Sequence, residues 1–160
     1  MTDPASTAVS DATGTPTSVA VTGKPPTRVR AVWNGEMRFD GHREAGGPAI
    51  HLDGHGVTGP SPVDALLLAL ASCAGIDVVE ILAKRRTPVQ SLEVAVVGQR
   101  ATVIPARVTS VHLTFHITGD DVDRAQAERA IELAINKYCS VKESLDPNMP
   151  VTWTLLLNGA

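Results

Sequence analysis

From residue 107 to residue 118 apolar and polar side chains alternate. Val111, Leu113, Phe115 and Ile117 fall on one side, and His112, Thr114, His116 and Thr118 on the other. A period of two sends successive side chains to opposite faces, so this stretch reads as a strand with one face in the core. Residues 91–99 repeat the pattern, and Val151–Leu157 closes the chain as another strand. Near the start, Val29, Ala31 and Trp33 alternate with Arg28, Arg30 and Val32. The tight-turn pair Asn34-Gly35 follows, then residues 36–40, which together predict a hairpin. Residues 49–52, set off by Gly46-Gly47-Pro48, predict a third early strand.

Residues 61–82, SPVDALLLALASCAGIDVVEIL, follow a different rule. Ser61 is a good N-cap, Pro62 is tolerated at the first helical position, and Asp64 in the first turn complements the helix dipole. The helix should end near Arg86, before Thr87-Pro88. It is apolar on nearly all sides, so it belongs at the centre of a fold or at a subunit interface. Its length suits a membrane span, but Asp77 and Glu80 inside it favour a soluble protein. Residues 121–137 predict a second helix, with Ala125, Ala130, Ile131, Ala134 and Ile135 near helical spacing. Ser140-Val141-Lys142-Glu143 has capping-box spacing and predicts a short third helix. Strands joined by short turns, with helices between them, predict an α+β fold with an antiparallel sheet and helices on one side.

The chain of 160 residues suits one domain, placed at 27–160. Residues 1–26 hold no Leu, Ile or aromatic residue and predict a flexible tail. They lack a basic start followed by an apolar segment, so the expected location is the cytoplasm, with thiols reduced. A net charge of -3 without a long basic run argues against a nucleic-acid partner, and the soluble reading of the long helix argues against a membrane partner.

Two cysteines, Cys73 and Cys139, are the candidate chemistry. Far apart, and with no ligand spacing, they make a poor metal site. Each is small enough to be a core residue and nothing more. On a helix Cys73 shares a face with Asp77 and Glu80, and a neighbouring carboxylate raises a thiol pKa. A reactive Cys73 therefore calls for a cation, such as an arginine held by Asp77. Arg28, Arg30, Arg38 and Arg43 of the early hairpin are the candidates. Cys139 directly precedes the expected cap Ser140, and a helix N-terminus lowers a thiol pKa. His112 and His116 lie about 13 Å apart on one strand and cannot share a metal. Glycines at 54–59 lack the lysine of a phosphate loop.

TGPSPVDALLLALASCAGIDVVEILAKRR, followed much later by INKYCSVKESL, resembles the OsmC/Ohr family, over most of the chain outside the tail. The resemblance implies a curved antiparallel sheet packed around long central helices in an intertwined homodimer, with sites built from both subunits. It implies a Cys-based peroxidase that reduces organic hydroperoxides in oxidative-stress defence. Cys73 matches the thiolate that attacks the peroxide, Cys139 the resolving thiol, and a dithiol donor restores both. No cofactor and no metal are called for. The family's peroxidases carry a glutamate directly after the proline, where it orients an arginine. Val63 stands at that position, and Asp64 comes one residue later, about 100° away around the helix. Asp77 is then the acid placed to hold an arginine near Cys73, with Arg38 the first choice and Arg30 the second. The alternative is a non-enzymatic OsmC-like dimer that binds a small apolar ligand or senses oxidants through its thiols.

Overall fold

A computed structural model describes residues 24–159; residues 1–23, most of the expected tail, and residue 160 lie outside the described part. The described residues form two three-stranded sheets and three α-helices.

The first sheet is an antiparallel meander of β1 (Val29–Trp33), β2 (Arg38–Arg43) and β3 (Ile50–Asp53). Its hairpin is one residue longer than a two-residue Asn-Gly turn. Gly35 and Glu36 both take positive φ, 82° and 51°, and Asn34 N–H donates to the Arg38 carbonyl at 2.9 Å. Trp33 Nε1 donates to the Glu36 carbonyl at 2.8 Å and holds the loop. β2 therefore begins at Arg38 rather than Glu36. The expected alternation in β1 has no core to face: every β1 residue is exposed, Trp33 at 64%. The sheet meets the rest of the chain mainly where β3 touches the long helix.

That helix, α1, spans Pro62–Lys84. It starts with a reciprocal cap. Ser61 Oγ accepts from Asp64 N–H at 3.2 Å, and Asp64 Oδ2 accepts from Ser61 N–H at 2.9 Å. Thr87, past the end, returns both its N–H and its hydroxyl to the Leu82 carbonyl. Leu70, Ala74, Val78 and Leu82 are buried along one side, each large side chain contributing about 1.5–3 kcal/mol. The other side leaves Leu68 and Ile76 exposed, at 57% and 61%. α1 is long and apolar enough to cross a bilayer, but here it packs its buried face into a core shared with sheet and helix.

The second sheet holds β4 (Ser91–Arg100), β5 (Val108–Thr118) and β6 (Val151–Leu157). Val111, Leu113, Phe115 and Ile117 of β5 are buried, as their alternation predicts. β4 and β5 pair antiparallel, but β5 and β6 pair parallel, so the sheet is not wholly antiparallel as expected. The long connection explains this. From β5 the chain crosses over through α2 (Arg124–Leu133), a π-helical turn (Ala134–Tyr138) and α3 (Ser140–Glu143), and re-enters from the same end. α2 starts later than expected, behind an Asp123 cap that accepts from Gln126 N–H at 2.7 Å. It lays Ala127, Ala130 and Ile131 against α1 and the sheet.

The loop between β3 and α1 is organised by one buried carboxylate. Asp53 accepts from His55 N–H at 2.8 Å, Thr58 N–H at 3.0 Å, Thr58 Oγ at 2.8 Å and Val57 N–H at 3.3 Å. These donors, Thr58 N–H foremost and then His55 N–H, hold its carboxyl far below the ordinary 3.8 despite burial. His51 extends the network, meeting Asp40 at 2.8 Å and the Thr58 hydroxyl at 3.0 Å. Asp53→Ala leaves four donors without an acceptor. It should lower the melting temperature by roughly 5 °C, read by circular dichroism. A depressed carboxyl stabilises the fold fully above its unfolded pKa and loses that effect as pH falls through the folded value. The gap between wild type and Asp53→Ala should therefore be full at pH 7 and close only in strongly acidic solution.

Candidate active site

Cys73 sits at the middle of α1, at the border of its buried face, and is half-buried. Asp77 is one turn on, on the same side. The second thiol arrives from the far end of the crossover. An α-helix continued from α2 would carry Cys139 past this point. Instead the last turn widens to the π spacing, and Cys139 N–H reaches back five residues to the Ala134 carbonyl at 2.8 Å. Cys139 then leaves the helix in an extended conformation, φ −68° and ψ 96°.

Cys139 is itself the N-cap of α3. Its sulfur accepts Lys142 N–H at 3.4 Å, so the thiol occupies the place expected for Ser140. Ser140 is freed from capping and turns its hydroxyl to Cys73, with Oγ 4.0 Å from Sγ. The first turn of α3 thus serves two sulfurs. Lys142 N–H takes Cys139, while Val141 N–H, Ser140 O–H and the Cys139 S–H act on Cys73.

The two thiols differ in opposite senses. Burial pushes Cys73 up, but the Val141 N–H, the Cys139 thiol and the Ser140 hydroxyl together outweigh it, and the result lies below the ordinary 9.0. Asp77 opposes them, as its position on the helix predicts. Cys139 moves the other way, up to about 11, because it is 3% exposed and its proton is held toward Cys73. The expectation that a helix N-terminus would lower Cys139 is therefore reversed. Burial outweighs the Lys142 and Val141 N–H groups, and a neighbouring thiolate disfavours a second one. Cys73 is the more acidic of the two thiols and Cys139 the more deeply buried. Both are free thiols.

Arg38 lies elsewhere within the protomer. It is on β2, paired with Glu36 at 3.1 Å, and is not among the groups acting on Cys73. Arg30 is exposed on β1, and Arg28 pairs with Glu44 at 3.7 Å. Asp64 is occupied with the α1 cap. Asp77 makes no hydrogen bond among the described residues. Burial, then the Glu80 charge, push its carboxyl above the ordinary value, with Lys84 offsetting part. Lys84 itself is taken by Glu80 at 2.8 Å. Cys73, Cys139 and Asp77 are thus brought together and Arg38 is not. Sequence reasoning missed Ser140 and the Val141 N–H. The only trace of them was the serine after Cys139, which capping-box spacing assigned to another task. An apolar groove of about 620 Å³ runs between α1 and β4, lined by Leu68, Ile76, Val79, Leu92 and Val94; Cys73 does not line it. Among the described residues no three His, Cys, Asp or Glu side chains are grouped to hold a metal ion.

An α+β fold that brings a thiol on one helix beside a second thiol capping another defines a dithiol-site protein. The chain belongs to the OsmC-like protein family, whose sequence profile matches residues 53–154. It is 36% identical to Protein YhfA of Escherichia coli strain K12 over 126 residues, covering 78% of this chain and 93% of that one. Its fold is similar to that of an OsmC-like protein from Mycoplasma pneumoniae, with a TM-score of 0.73, 18% identity and coverage of 84% and 99%. It is also similar in fold to the organic hydroperoxide resistance protein OhrB of Bacillus subtilis, with a TM-score of 0.56, 17% identity and coverage of 82% and 98%.

Iodoacetamide at pH 8 should carboxamidomethylate Cys73 in the native protein and spare Cys139 until denaturant is added. Peptide mass spectrometry reads both sites. Cys139 labelled at the same rate as Cys73 in folded protein would reverse the assignment of roles.

Proposed function

We propose that the protein is a thiol-dependent peroxidase that reduces organic hydroperoxides, acting as a cytoplasmic homodimer. The observation that carries this reading is the convergence of the two thiols on the start of α3, where Cys139 caps the helix and the next residue, Ser140, places its Oγ 4.0 Å from Cys73 Sγ. The Cys73 thiolate attacks the terminal oxygen of the O–O bond. That bond breaks, the alkoxide takes a proton and leaves as the alcohol, and Cys73 becomes a sulfenic acid. Cys139 attacks the sulfenic sulfur, hydroxide leaves as water with a proton, and a disulfide forms. A dithiol donor then reduces that disulfide by exchange and is itself oxidised to a disulfide.

Two unpartnered surfaces support the dimer. One is the apolar outer side of α1, with Leu66, Leu68 and Ile76 exposed beside the groove. The other is the first sheet, which exposes Val29, Trp33 and Ile50 and touches its own protomer lightly. A second chain on these surfaces removes apolar area from water and places an arginine-bearing sheet against a neighbour. In such a dimer the partner subunit's Arg38 is the cation for Asp77, which finds no hydrogen-bonding cation among the described residues of its own chain. A redox sensor built on the same two thiols is the second reading; repeated turnover separates the two.

With cumene hydroperoxide and a dithiol, wild type should consume peroxide over many turnovers, and Cys73→Ser should match the protein-free blank. Cys139→Ser should accumulate a dimedone-reactive sulfenic acid at Cys73. One equivalent of peroxide lost per protein, and no more, would favour the sensor.

Sedimentation should give twice the 16.8 kDa chain mass. Ile76→Glu places a charge on the outer side of α1 and should shift the protein toward monomer. A wild-type monomer at micromolar concentration would sink the dimer.

A further inference from the structure

We propose that Ser140 is a positioning residue for Cys73: its hydroxyl donates to the Cys73 sulfur and holds the thiolate from within the protomer. This deepens the peroxidase reading and rests on it only for the use made of the thiolate.

Ser140 comes from α3, 67 residues away from Cys73 in the chain, and its Oγ lies 4.0 Å from Sγ. Its backbone is committed to the short helix. The Ser140 carbonyl accepts both Ser144 N–H at 3.1 Å and Ser144 Oγ at 2.7 Å. Its side chain is not a cap, because Cys139 fills that role. The hydroxyl is exposed, and Cys73 is its recorded hydrogen-bond partner. An exposed side chain with no packing duty and one partner, the reacting sulfur, is placed for chemistry rather than for stability.

The choice of donor has a physical reason. The titratable groups acting on Cys73 are Asp77 on its own helix and Cys139 across from it. A hydroxyl beside them supplies a proton to share without adding a charge to be desolvated. It can also rotate. It donates to a thiolate, and accepts once the sulfur has become a sulfenic acid, whose own O–H needs an acceptor. Val141 N–H, fixed in the backbone, can only donate. Ser140 is the member of the group able to follow the sulfur through both states.

The test is the pH profile of Cys73 carboxamidomethylation by iodoacetamide, followed by peptide mass spectrometry from pH 5 to 10. Wild type, Ser140→Ala and Ser140→Thr are compared. At pH 7, Ser140→Ala should react about three- to tenfold more slowly and converge on wild type at high pH, the size of one lost hydrogen bond to a charged group. Ser140→Thr, which keeps the hydroxyl, should stay within about twofold. Superimposed wild-type and alanine profiles would overturn the proposal, and so would an equal slowing at every pH, which reports access alone. Peroxide consumption is read separately. No turnover with the expected profile removes the peroxidase reading and upholds Ser140; turnover with superimposed profiles does the reverse.

Discussion

A helix that is apolar on nearly every side must be covered on nearly every side, and this requirement organises the molecule. One side of α1 is covered from within: β5 supplies Val111, Leu113, Phe115 and Ile117, and α2 supplies Ala127, Ala130 and Ile131. The outer side, with Leu68 and Ile76, is not. The small residues of α2 let it approach closely, and this brings the end of the crossover down beside Cys73. Cys73 thus lies at the seam between the covered and the uncovered halves of α1. It is half-buried there, acted on by the Val141 N–H, the Ser140 hydroxyl and Cys139 and opposed by Asp77.

The seam explains how a thiol can be acidified with little help from charge. A cation would be the simple answer to a carboxylate one helical turn away. The protomer instead aims a backbone N–H, a hydroxyl and a second thiol at the same sulfur. Each is weak alone. Together they outweigh burial and the Asp77 charge, because they are held in place by elements already packed. The second thiol is changed by the same arrangement. Buried and beside a thiolate, it keeps its proton, so the asymmetry between the cysteines comes from depth and contact rather than from residue type.

Much of the fold was legible. The period-two stretches became strands at β4, β5 and β6, and α1 was readable from Ser61 and Asp64 at its start to Thr87 near its end. What failed to read was nonlocal. Parallel pairing of β6 depends on the crossover returning the chain to one end, and no local pattern encodes that. The alternation in β1 was real, but its apolar positions face no core within the protomer. At the site, the helical spacing of Cys73 and Asp77 was readable. The role of Ser140 was not, because Cys139 took the cap that serine usually takes. The shift of Cys139 went the wrong way because burial cannot be read from a place at a helix N-terminus.

The π turn at Ala134–Tyr138 also fixes a phase. In a regular helix each residue advances the chain by about 100° and 1.5 Å. The wider turn lets the chain use one extra residue before it exits, so Cys139 leaves on the side facing α1. Force the same residues into the ordinary α pattern and Cys139 would be turned about 100° away from that side. The pairing of the two sulfurs is therefore a matter of counting. The irregular turn is what makes residue number and direction agree.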